Sequence, residues 1–124
     1  HRLDDWPGWV GVERVLPVPL HRARLGQRGY NQALELARAF AAPRGLPVDL
    51  RSLRRVRATP PQTTLDAAAR RRNLRGAFQA DPQTGIVLLV DDVITTGATL
   101  AEAARTLLRA GAGEVRALAI ARAP

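Results

Sequence analysis

The sequence predicts an α/β fold: a mainly parallel sheet flanked by helices. Three observations carry that expectation. The run Ile86–Val90, IVLLV, is continuously apolar and partly β-branched, the pattern of a strand buried on both faces. After it, Leu100, Ala103, Ala104, Leu107 and Leu108 fall on one helical stripe, which Gly111 ends as a C′ glycine. A last apolar segment, Glu114–Ala121, completes strand, helix and strand, the βαβ unit whose crossover is nearly always right-handed.

The elements before this unit follow in order. Arg14–Leu20, RVLPVPL, reads as a short buried strand ending at Pro17 and Pro19, which lack the donors a central strand needs. A basic loop, HRARLGQRGYNQ, leads to Asn31 as N-cap of a helix carrying Ala33, Leu36, Ala37 and Phe40 on one face, with Pro43 and Gly45 as its stop. Leu53–Val56 is a second short strand. Thr59 to Gln62 is extended because of its prolines, and a short helix capped by Asp66 carries Arg70, Arg71 and Arg72. Asp81–Gly85, DPQTG, is a turn.

A length of 124 residues predicts one domain, spanning 1–124, with a core built from Leu, Val, Ile and Ala because aromatics make up only 4%. The chain opens at His1 and holds no Met, so residues upstream are expected to be missing. Cysteine is absent, which excludes a disulfide framework and a Cys-based zinc site within these residues. No apolar run approaches a membrane span and no signal-peptide pattern opens the chain; the expected location is cytoplasmic. The net charge is +8, all cations are Arg, and residues 1–80 hold 15 Arg against 6 acids while 81–124 hold 4 against 5. A basic half of this kind attracts a polyanion, either nucleic acid or a small ligand with several phosphates. An arginine-rich solvated surface is the plain alternative.

The chemistry concentrates in VLLVDDVITTGATL, Val87–Leu100. Asp91 and Asp92 stand at the carboxyl end of a buried strand, the edge where open α/β sheets bind ligands. Thr95, Thr96, Gly97, Ala98 and Thr99 lead into a helix whose first amides and positive dipole end favour an anion, phosphate above all. Two carboxylates beside a phosphate cradle fit a ligand with hydroxyls near its phosphate, because carboxylates accept strong charge-assisted bonds from a diol. A ribose 5-phosphate has that form. Neither the Gly-x-x-x-x-Gly-Lys loop nor a Gly-x-Gly-x-x-Gly fingerprint occurs.

VLLVDDVITTGAT resembles the phosphoribosyl-diphosphate (PRPP) signature of the type I phosphoribosyltransferases. PVPLHRARLGQRGYNQA and PPQTTLDAAARRRNLRGAF resemble two blocks of the ComF/GntX family, and the three blocks cover most of residues 15–100. The resemblance implies a type I phosphoribosyltransferase-like, Rossmann-like fold. It implies that Asp91 and Asp92 hold the ribose hydroxyls and that Thr95, Thr96, Gly97, Ala98 and Thr99 hold the 5-phosphate. It implies a pyrophosphate loop around Leu20, His21, Arg22 and Arg24, with Arg28 and Arg70 as further candidates, and a mobile cover at Thr59–Arg72. Magnesium would arrive on PRPP oxygens, with no metal held directly by the protein. The implied activity is transfer of phosphoribose to an acceptor that the residues leave unnamed, and relatives of this type often form homodimers. ComF is associated with natural transformation and GntX with gluconate use, so single-stranded DNA or competence proteins are the partners of an alternative, non-catalytic module.

This chain lacks the Cys-x-x-Cys zinc module with which ComF members usually start, and it has Thr95 where purine-salvage relatives have an Asp general base. Other residues keep two readings. Arg28 to Gln32 form either a binding loop or a helix cap with an aromatic staple. Arg70, Arg71, Arg72 and Arg75 either meet phosphates or line a solvated face. His21 is a general base by type or a plain loop histidine. Trp6 and Trp9 cover the core near the N-terminus or stack on bases.

Overall fold

The computed structural model describes residues 6–19, 32–56, 74–94 and 97–122, the side chains at 92–94 and 120–122 excepted. In chain order the elements are β1 (Val12–Pro17), α1 (Gln32–Ala41), β2 (Leu53–Arg55), β3 (Phe78–Ala80), β4 (Ile86–Ile94), α2 (Ala98–Arg109) and β5 (Glu114–Arg122). Single turns of 3-10 helix precede β1, at Pro7–Trp9, and follow α1, at Ala42–Arg44. The central sheet has the order β1–β4–β5, and both pairings are parallel. A fourth position lies outside β1, where Val48 forms a parallel bridge to Val15.

The period-two alternation of β4 divides the core. Val87 and Leu89 join Leu16, Val18 and the α2 residues Leu100, Ala103 and Leu107 on one face. Leu88 and Val90 join Val12, Val15 and the α1 residues Ala37 and Ala41 on the other. Val87 through Val90 are wholly shielded, as a strand covered by a helix on each face must be. The expected α1 stripe therefore packs as read, with Ala33 and Ala37 buried and Leu36 and Phe40 half-buried against the second cluster. The helix stops at Ala41, and Gly45 adopts a left-handed φ of 65° after the Pro43 turn. Asn31 and Asp66, the expected caps, lie outside the described residues.

Several expectations are corrected. β1 begins at Val12 rather than Arg14 and ends at Pro17 rather than Leu20. Its early start includes an irregularity between Val12 and Arg14, and Glu13 accepts a bond from the Ile86 amide at 3.1 Å while Arg14 donates to Gln83 Oε1 and the Thr84 carbonyl at 3.0 and 2.6 Å. β2 does not enter the parallel sheet. It pairs antiparallel with β3, a strand that the sequence pattern did not mark, and Leu53, Leu74, Ala77 and Phe78 seat this ribbon on the α2 side of the core. β4 runs on to Ile94, so the two acids stand within the ladder, with Asp91 opposite Ala119, rather than beyond its end. Leu108 is 48% exposed and leaves the α2 stripe, while Glu102, on the expected polar side, is buried. Arg109 closes the helix, and Gly111, at φ 115°, turns the chain where a Cβ would stand 2.5 Å from the Gln83 carbonyl oxygen.

Trp6 and Trp9 meet edge to face at 5.5 Å and pack on the second cluster beside Ile86 and Leu118, with the Arg44 guanidinium 3.9 Å above the Trp9 ring. They act as the cover that the sequence reading expected.

Candidate phosphoribosyl site at the carboxyl edge of the sheet

The chain order places the site. From β1 the chain proceeds through α1 to the Val48 position on one side of β1, whereas β4 lies on the other side and continues through α2 to β5. The connections diverge between β1 and β4, and in an open α/β sheet the crevice outside the carboxyl ends at such a switch point receives ligands. The Val18 amide donates to the Val90 carbonyl at 2.9 Å, so the two strands stay paired up to the residue before Asp91. Asp91 itself is half-buried.

At the far side of the turn, Gly97 caps α2 with φ 79° and ψ −1°, a left-handed conformation that β-branched residues adopt only under strain. A Cβ built on Gly97 meets no atom of the described residues within 4 Å. The first intrahelical bond runs from the Ala101 amide to the Gly97 carbonyl at 2.9 Å, which leaves the amides of Thr99 and Leu100 without an intrahelical acceptor. Among the described residues no side chain caps the helix, and no acid sits in its first turn, in contrast to α1, which has Glu35 there. The positive end of the α2 dipole thus carries no carboxylate from the helix's own first turn.

The structure brings Asp91, Asp92, Gly97, Ala98 and Thr99 to this one edge, the first two through the β4 backbone and the others through the start of α2. Thr95 and Thr96, and the pyrophosphate-loop candidates Leu20, His21, Arg22, Arg24, Arg28 and Arg70, lie outside the described residues. The expected cover, Thr59–Arg72, also lies outside the described residues; the β2–β3 ribbon is closed by the Val56 amide on the Ala77 carbonyl at 2.8 Å. The ribbon's Leu53 and Phe78 share a core cluster with Val18 and Leu100.

One polar group near the site escaped the sequence reading. Glu102, in the second turn of α2, is buried with its carboxylate 3.3 Å from Arg105, and its carbonyl accepts the Thr106 hydroxyl at 2.8 Å. Helical periodicity assigns it to a solvated face, and nothing in the spacing marks it. Among the described residues no group of three or more His, Cys, Asp or Glu side chains is placed to hold a metal ion, and no helix is long and apolar enough to cross a membrane.

Residues 27–124 match the phosphoribosyl transferase domain family, and the chain belongs to that family. Within it, the chain is 42% identical over 112 residues to the DNA utilization protein YhgH of Salmonella typhi, covering 89% of this chain and 49% of that protein. It is 39% identical over 116 residues to competence protein F of Haemophilus influenzae, covering 90% and 51%. The chain therefore spans about half the length of the curated relatives it matches. Among solved structures, the allosteric regulatory enzyme of purine biosynthesis superposes with a TM-score of 0.60 at 24% identity, over 90% of this chain and 22% of that one. Glutamine phosphoribosylpyrophosphate amidotransferase from B. subtilis, complexed with ADP and GMP, gives 0.59 at 24%, over 89% and 22%. These likenesses establish the fold as that of a type I phosphoribosyltransferase. The resemblance read from the three sequence blocks thus leads to the same family and the same fold.

Proposed function

We propose that this chain binds magnesium–PRPP at the carboxyl edge of β4 and transfers its phosphoribosyl group to a nucleophilic acceptor. The observation that carries the reading is the adjacency of Asp91 and Asp92, at the end of β4, to the start of α2, whose first turn holds no acid. The amides of α2 would receive the 5-phosphate, as helix N-termini receive anions generally. Asp91 and Asp92 would accept the 2- and 3-hydroxyls and hold the ribose in one orientation, a proximity effect on the reaction at C1.

In the transfer, the bond from C1 to the pyrophosphate oxygen breaks and its electron pair leaves with pyrophosphate. A lone pair of the acceptor forms the new bond to C1. Negative charge builds on the leaving pyrophosphate and positive charge on C1 and the ring oxygen, so cations preorganised around the pyrophosphate would stabilise the transition state. Magnesium arriving with PRPP would supply part of the positive charge facing the pyrophosphate. The candidate arginines Arg22, Arg24, Arg28 and Arg70 would supply the rest. Thr95 is no base at neutral pH, so the acceptor's proton passes to water or to the departing pyrophosphate.

Isothermal calorimetry with magnesium and PRPP tests the reading. Binding is expected to weaken at least about tenfold in the Asp91→Asn/Asp92→Asn variant, since a hydrogen bond to a charged group contributes about 1.5–3 kcal/mol. An absence of heat at millimolar ligand, or equal binding by the double variant, would refute it.

A second reading is a non-catalytic module that senses PRPP or a nucleotide and presents its arginine-rich half to single-stranded DNA. The charge asymmetry, 15 Arg against 6 acids in residues 1–80, favours it, as do the names of the relatives, DNA utilization protein and competence protein F. PRPP binding without pyrophosphate release across a panel of nucleobase and amine acceptors is its expected signature.

A further inference from the structure

We infer that the N-terminal turn, residues 6–10, is a strap over β5, latched by Arg116, whose closure holds the Asp91 end of the β4–β5 ladder in place. On its face of the sheet, α1 packs across β1 and β4. Register sets Glu114, Arg116 and Leu118 opposite Ile86, Leu88 and Val90, so the β5 part of that same face needs a cover of its own. Trp6 and Trp9 supply it, seated on the second cluster beside Ile86 and Leu118. No residue of Pro7–Trp9 is buried, and Val10 is 71% exposed. The turn's backbone bonds, from the Trp9 amide to the Trp6 carbonyl and from the Val10 amide to the Pro7 carbonyl, are 3.4 and 3.1 Å long. Gly11 joins it to β1 at a φ of 80°. A segment with few buried groups and exposed backbone bonds belongs to the low end of local stability, where opening precedes global unfolding.

Arg116 fastens this segment to the sheet. Its Nε donates to Glu114 at 2.5 Å, which orients the guanidinium, and its Nη1 donates to the Gly8 and Val10 carbonyls at 2.7 and 2.5 Å. The side chain is 24% exposed, so these charge-assisted bonds are partly shielded from water. From the α1 side, the Arg44 guanidinium over Trp9 completes the clasp. The route to the candidate site is short. Leu118, beside the tryptophans, pairs with Val90, and the next rung sets Ala119 opposite Asp91. Among the described strands β5 pairs with β4 alone, so these two rungs depend on β4 and on what covers the β5 faces. Opening of the strap uncovers Leu118 and frays the rungs that fix Asp91. Arg116 is thus a positioning residue for that carboxylate. What this means for a ligand rests on the phosphoribosyl reading; the coupling of strap to ladder does not.

Arg116→Met keeps the aliphatic stem and removes the three bonds, and two readouts on the full chain test it. Trp6 and Trp9 are the only tryptophans of the sequence, so acrylamide quenching of their fluorescence reports the strap directly and is expected to rise several-fold. Amide hydrogen exchange at Val90, Asp91, Leu118 and Ala119 is expected to accelerate about tenfold, the scale of a lost charge-assisted hydrogen bond, while the amides of α1 and of Val15 and Leu16 in β1 keep their rates. The wild type gives a measure that needs no variant. In mild denaturant the Val10 amide and those of Leu118 and Ala119 are expected to open as one unit, ahead of Leu88 at the centre of the sheet. Unchanged quenching in Arg116→Met would remove the latch. Exchange that quickens evenly over β1, β4 and β5, the mark of a global loss of stability alone, would overturn the coupling, as would separate opening of Val10 and Leu118 in the wild type. A failure of magnesium–PRPP to bind refutes the ligand reading and leaves each of these outcomes decisive for the strap.

Discussion

Asp49 shows how a single side chain sets a turn. It follows the Val48 bridge, and its amide donates to the Val15 carbonyl at 2.9 Å, which ties the turn to β1. Its Oδ1 accepts the amides of Arg51 and Ser52 at 3.0 Å each, and its Oδ2 accepts the Ser52 hydroxyl at 2.5 Å. Partial burial works to raise its pKa, but the Ser52 hydroxyl, the two amides and the Arg14 guanidinium outweigh it and hold the carboxyl below the ordinary 3.8. A carboxyl whose pKa is lower in the folded state adds stability that is complete above its unfolded value and is lost as pH falls through the folded one. The stability gap between the wild type and Asp49→Asn is therefore expected to be constant at neutral pH and to shrink below about pH 4. Urea titrations from pH 7 to pH 2.5 measure that gap; one that grows on acidification would contradict the assignment. Gly97 is the second decisive residue, because its left-handed φ is a backbone need that glycine meets without strain, at the start of α2.

At the scale of elements, α2 illustrates what periodicity conveys and what it leaves open. The sequence stripe treats Leu107 and Leu108 alike, yet Leu107 is wholly buried and Leu108 is 48% exposed. A turn of 100° per residue puts neighbours on diverging directions, and only the position of the sheet beneath decides which one it covers. Leu107→Ala is expected to cost about 3 kcal/mol, in the range for a fully buried leucine, and Leu108→Ala less than about 0.5. Equal losses in denaturant unfolding would show that the stripe, rather than the sheet, governs burial. The β2–β3 ribbon makes the same point for strands. Leu53–Val56 was legible as extended from its residue types, but Phe78–Ala80 was not, because three residues carry too little pattern and their partners lie 23 to 27 positions away.

For the whole molecule, charge is the property with reach. Exposed pairs such as Arg54–Asp81, 3.0 Å apart, add little to stability, so the excess of arginine is better understood as a field around the protein. If that field serves nucleic acid, affinity for a single-stranded oligonucleotide should fall linearly in log salt, by about 0.7 per phosphate contacted. Filter binding between 50 and 300 mM salt, roughly the range over which such contacts are resolved, reads the slope. A flat response would remove the DNA reading and leave the phosphoribosyl site untouched.

The sequence by itself determined the α/β class, both long helices, the buried β4 strand and the acidic strand–turn–helix motif, because each is encoded in a local period or in contiguous residues. It also determined the family, through three contiguous blocks. Tertiary structure alone decided that the two acids stand inside the ladder, that β2 pairs with β3 apart from the parallel sheet, and that Glu102 is buried and Leu108 is not. Those outcomes depend on which distant segments come to lie side by side, and pairing of that kind is fixed by packing the entire core at once rather than by any short stretch of chain.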